Sequence, residues 1–163
     1  MKKVNVRGII LADNCVNIND DSFFEISHFI QGFLNLPGKF LFLVNDTSDY
    51  TNALKLKEKL GLDNNNNVLI VRDNNDLTKN IIQTLTLSLS QHNLKKNEII
   101  SFGASENDLA LSNIAELHFH VGSASVLKKK IRNVIPLSDQ NEVGLINVLS
   151  YFSGKKYLDT PLN

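Results

Sequence analysis

Apolar residues fall along this chain in two alternating rhythms. Short continuous runs rich in β-branched residues read as strands buried on both faces: 4–11, 40–44, 68–71, 98–102, 117–121 and a shorter one at 133–135. Between them the apolar positions recur at helical spacing. Phe23, Ile26, Phe29, Ile30, Phe33 and Leu34 form one such stripe, opened by Ser22-Phe23-Phe24-Glu25 as a capping box and stopped by Pro37-Gly38. Further helices are predicted over 48–60, ended by Gly61, and over 76–90, capped by Asp76 with Ile81, Ile82, Leu85 and Leu89 inward. Helices over 106–114, 123–131 and 140–152 follow. Strand and helix alternate throughout, which predicts an α/β fold: a three-layer, doubly wound, mostly parallel sheet with right-handed crossovers. Residues 1–155 read as a single domain and 156–163 as a C-terminal tail.

Composition narrows the function classes. The chain has 163 residues, and its 17 basic and 17 acidic side chains cancel. That balance gives no basic face for nucleic acid, which needs clustered Lys and Arg against phosphates. No apolar run approaches the ~18 residues of a membrane helix. The run after the basic start, Gly8 to Ala12, is too short for a signal-peptide core. A single cysteine, Cys15, excludes an internal disulfide framework and reads as a small packing residue. These features predict a cytoplasmic protein. The run Asn64 to Asn67 reads as a surface loop.

Doubly wound sheets hold ligands at the carboxyl ends of their strands. The segments that follow the predicted strands are 12–16, 45–47, 72–76, 103–108 and 122–124. Three of them, with Lys79, resemble the haloacid-dehalogenase-like (HAD-like) phosphohydrolases. The strongest likeness is Ile99-Ile100-Ser101-Phe102-Gly103-Ala104-Ser105-Glu106-Asn107-Asp108, where the family has an apolar strand followed by Gly-Asp-x-x-Asn-Asp. A small-residue turn at Gly122-Ser123-Ala124, a basic helix and Val134-Ile135-Pro136 continue in the family's order. Lys79 lies 24 residues before Gly103, near the spacing of the family's lysine. Gly8-Ile9-Ile10-Leu11-Ala12-Asp13-Asn14-Cys15-Val16 stands where the family has a strand and Asp-x-Asp-x-Thr. The segments between these motifs are too short for a cap domain. The chain is thus similar to the capless, Rossmann-type subgroup that includes 3-deoxy-D-manno-octulosonate 8-phosphate phosphatase, and its tail from Asn107 also resembles Cof-type sugar phosphatases. The likeness implies a homo-oligomer, dimer or tetramer.

The resemblance also implies a chemistry. An aspartate attacks phosphorus, a second aspartate two residues on moves the proton, and carboxylates hold Mg²⁺. Here the nucleophile position is Ala12, the acid/base position Asn14, and the first metal aspartate Ala104. The threonine position is Val16, and the Ser/Thr expected after the second strand is Asn45. Lys79, Asn107 and Asp108 alone match. This predicts a catalytically degenerate member. Asn45, Lys79, Gly103, Ser105 and Asn107 remain as anion-binding candidates and Asp108 as a metal candidate. No cofactor is expected. Mg²⁺ enters only in an alternative, a phosphohydrolase of a small sugar phosphate whose displaced carboxylate is Asp13, helped by Glu106 or Asp108. A plainer reading of Ser105 to Asp108 is local capping, since a serine stands three residues before an acid.

Other groups have structural readings. His118 and His120 share one face of a strand and are expected on a partly exposed edge. His28 reads as a packed or interface residue, His92 as a loop residue, and Lys128-Lys129-Lys130 with Arg132 as a solvated helix face. Phe23, Phe24, Phe29, Phe33 and Phe40 make a wide aromatic region, which reads either as a fully buried helix or as one that packs in part against another subunit. A receiver-like domain would need two adjacent acids after the first strand, and Ala12-Asp13 does not supply them. A flavodoxin-like domain would show a flavin's yellow colour.

Overall fold

The computed structural model describes residues 3–45, 51–72, 81–121, 131–137, 147–149 and 158–159. The predicted strands form one parallel sheet: β2 (Gly8–Ala12), β3 (Phe40–Asn45), β4 (Val68–Arg72), β5 (Ile99–Gly103), β6 (Leu117–Val121) and β7 (Val134–Leu137). Their order across the sheet is β4-β3-β2-β5-β6-β7. The chain therefore winds outward from β2 through β3 to β4, then returns to lay β5 on the other side of β2. From there it winds outward again through β6 to β7. Ala12 and Gly103 end the two central strands, so they flank the point where the winding reverses.

Strand alternation sends side chains to two cores. One face carries Ile9, Leu11, Leu41, Leu43, Ile100, Phe102 and Phe119 against Ile26, Ile30 and Phe33 of α1 (Phe23–Leu34) and Leu56 of α2 (Thr51–Lys59), with Val148 and Leu149 joining it. The other carries Ile10, Phe42, Val44 and Val71 against Leu85 and Leu89 of α3 (Ile81–Gln91), and Leu111 from a 3-10 segment (Glu106–Asn113). Covering both faces explains why the strands are apolar without alternation. Each fully buried large side chain is worth roughly 1.5–3 kcal/mol, and Phe102 and Phe119 add a stacked contact with centroids 5.3 Å apart.

Local details depart from the sequence reading in identifiable ways. Ser22 makes no side-chain cap bond on α1. Asp20 takes its hydroxyl instead: Ser22 Oγ donates to Asp20 Oδ1 at 2.8 Å, and the Ser22 N–H donates to the same oxygen at 2.9 Å. The stretch 106–114, read as an α-helix, is a 3-10 segment that ends at Asn113. The first strand is divided into β1 (Lys3–Val4) and β2, and the two pieces belong to different sheets. β1 pairs antiparallel with β8 (Leu158–Asp159), so part of the expected tail is a strand. Gly61, at φ 73°, ends α2 as predicted, and Gln31 of α1 seals that end by donating from Nε2 to Leu60 O at 2.6 Å. The Asp76 cap and the 123–131 helix lie outside the described residues, as does most of 140–152.

Candidate functional site

The parallel register gathers Ala12, Asn45, Gly103 and Ala104 at the carboxyl edge of the sheet. Ala12 is fully buried with extended backbone, and a 3-10 turn (Asp13–Cys15) follows it. Within that turn Asp13 and Cys15 are buried while Asn14 is exposed. Asn45 ends β3 opposite Arg72. Lys79, the turn at 122–124 and the basic run Lys128–Lys130 lie outside the described residues.

Gly103 and Asp108 form the best-defined part of this edge. Asp108 Oδ2 accepts from the Ala104 N–H at 2.9 Å and from the Ser105 N–H at 3.0 Å. The Asp108 N–H donates in turn to Ser105 O at 3.0 Å. The carboxylate thus occupies the N–H groups that a free anion would use. This is the capping role that the Ser105 to Asp108 spacing suggested. A Cβ on Gly103 would lie 2.3 Å from Asp108 Cβ and 3.0 Å from His118 Cε1, so the close approach of these two side chains requires glycine here. Ser105 is half-buried and Asn107 exposed.

Below this turn runs a buried polar row that the sequence reading misplaced. β6 is not an edge strand; it pairs with β5 on one side and β7 on the other. His118 and His120 are fully buried. Ser101 and His118 are register partners, and Ser101 Oγ lies 2.7 Å from His118 Nδ1. His118 Nε2 then lies 3.0 Å from His120 Nδ1. His120 Nε2 is buried without a hydrogen-bond partner among the described residues. Burial and the neighbouring His120 push His118 down to about 4 against the opposing pull of Asp108, and burial lowers His120 also. Both rings are neutral at pH 7. Ser101 is fully buried, so its hydroxyl is closed to attack on a substrate. The signal available in sequence was a serine inside an apolar run and two histidines at i and i+2.

The residues present do not fit the Mg²⁺ that the resemblance implies. Ala12 and Ala104 offer no side-chain oxygen, and Asp108 Oδ2 is engaged by the backbone. Among the described residues no group of three His, Cys, Asp or Glu side chains is placed to hold a metal ion. No described helix is long and apolar enough to cross a membrane.

No family model matches this sequence, and no curated protein matches it by sequence. Solved structures do match. The chain is similar to the cobalt-bound deoxy-D-mannose-octulosonate 8-phosphate phosphatase from Haemophilus influenzae, at TM-score 0.62 and 13% identity over 93% of this chain and 91% of that one. It is also similar to a protein from Legionella pneumophila described as a HAD superfamily hydrolase of subfamily III A, at TM-score 0.63 and 14% identity over 93% and 86%. An apo phosphoserine phosphatase matches at TM-score 0.57 and 15% identity over 90% and 98%. Together with the strand order and the absence of a cap among the described residues, these likenesses show that the chain has the HAD-like hydrolase fold.

Proposed function

We propose that this chain is a HAD-fold protein without phosphatase turnover that works as a binding or oligomeric scaffold. The observation that carries the reading is the pair of alanines, Ala12 and Ala104, at the reversal point of the sheet, beside an Asp108 that is spent on the turn. Nucleophilic attack needs a side-chain atom with a lone pair at the strand end, and methyl groups supply none. The partner is a second copy of the chain, in a dimer or tetramer, and the compartment is the cytoplasm. Support for self-association comes from α1, where Phe24 is 78% exposed and Phe23 and Phe29 are half-buried. A small phosphorylated ligand at the strand ends, near Asn45, completes the reading.

The alternative is Mg²⁺-dependent hydrolysis of a small sugar phosphate by Asp13, and Asp13 is 3% exposed. It predicts turnover that vanishes in Asp13→Asn. The scaffold reading predicts a dimer or tetramer by sedimentation velocity that Phe24→Asp shifts toward monomer. A wild-type monomer at every concentration would remove the scaffold.

A further inference from the structure

At the amino end of the sheet, remote from Ala12 and Gly103, α3 and the 3-10 segment leave a cavity of about 420 Å³ beside Ile99, the first residue of β5. Its floor is apolar, built from Leu89, Leu94, Ile99 and Ile114, and Lys95 and Lys96 stand at its rim. That size and lining suit a small organic molecule. The wall is already set. Asn93 holds the left-handed conformation at φ 57°, its carbonyl accepts from Arg7 Nη1 at 3.4 Å, and the Leu94 N–H donates to Leu89 O at 3.0 Å.

Two cationic side chains, Lys95 and Lys96, line the rim. Glu98, the nearest acid in sequence, sits beside Lys95, where Oε1 accepts from the Lys95 N–H at 3.0 Å, and its charge is matched by Arg7, whose Nη1 lies 3.3 Å from Oε2. Neither lysine takes part in an ion pair among the described residues. An apolar floor under two such ammonium groups is complementary to a molecule with an apolar body and one negative end. We propose that this cavity binds a small amphiphilic monoanion, an acyl or aryl carboxylate, with its body on Leu89, Leu94, Ile99 and Ile114 and its carboxylate at Lys95 and Lys96. The site is independent of whatever the strand ends bind.

The test is a titration of the ¹⁵N-labelled chain with octanoate, followed by amide shifts, with octanol as the neutral control. The expected result is saturable binding with shifts confined to 86–99 and 113–114. Octanol should bind about tenfold more weakly or worse, a step of ~1.4 kcal/mol. Lys95→Glu/Lys96→Glu, a surface change that leaves the core intact, should lose the octanoate preference. Ile114→Trp, which fills the cavity, should abolish binding of both probes. Shifts that do not saturate, that fall elsewhere, or that octanol reproduces at equal strength would overturn the proposal. So would a double lysine variant that binds octanoate like the wild type.

Discussion

Lowering the pH from 7 to 4 is expected to cost the folded state roughly 3 kcal/mol through His118 alone. Its imidazole titrates near its ordinary value of 6.5 in the unfolded chain and near 4 in the folded one. Below 6.5 the unfolded state takes up a proton that the folded state refuses, so stability falls with pH until the folded ring also titrates near 4. The cause is first burial of the ring and then the neighbouring His120, against the opposing pull of Asp108. His120 is shifted in the same direction and deepens the loss. Urea unfolding between pH 7.5 and 4 measures it. The reference is Ser101→Ala/His118→Val/His120→Val, which replaces every partner of the row by an apolar group. That variant should stay folded at pH 7 and lose most of the slope. Equal slopes in the two proteins would show that the acid sensitivity lies in surface carboxylates instead.

Gly103→Ala should destabilise the protein by about 3 kcal/mol, at the upper end of overpacking costs. The added methyl meets Asp108 Cβ at 2.3 Å, too close to the backbone of the 3-10 segment to be relieved by a rotamer change. Relief requires Asp108 to move off the Ala104 and Ser105 N–H groups, which then lose their acceptor. Removing the opposing Cβ in Gly103→Ala/Asp108→Gly should recover part of the loss, so the two substitutions are strongly non-additive. Additive costs in urea unfolding would show that the turn accommodates a side chain by other means.

Much of this architecture was legible because it rests on local pattern. Ile26, Ile30 and Phe33 repeat at helical spacing and are the residues α1 buries. The apolar strand runs gave the doubly wound sheet, and position after a strand was enough to pick out Ala12, Gly103 and Ala104. What the sequence concealed depends on register. Nothing local says that Ser101 faces His118 across two strands, or that Val134–Leu137 covers β6 and turns an expected edge into an interior strand. Competition between caps was also invisible: Asp20 and Ser22 both suit a helix start, and the carboxylate took the hydroxyl. The 106–113 segment buries Asp108, Leu109, Leu111 and Ser112, a spacing that an α-helix would also give, so nothing in the pattern separated 3-10 from α geometry.

The central claim is that the reversal point of this sheet lacks the groups for phosphoryl transfer. It is tested most directly by phosphate release from p-nitrophenyl phosphate and a panel of sugar phosphates, with and without Mg²⁺. Wild type is run beside Ala12→Asp/Asn14→Asp/Ala104→Asp. The account predicts a silent wild type and Mg²⁺-dependent turnover once the three carboxylates are restored. Mg²⁺-dependent turnover by the wild-type chain would contradict it and pass the chemistry to Asp13.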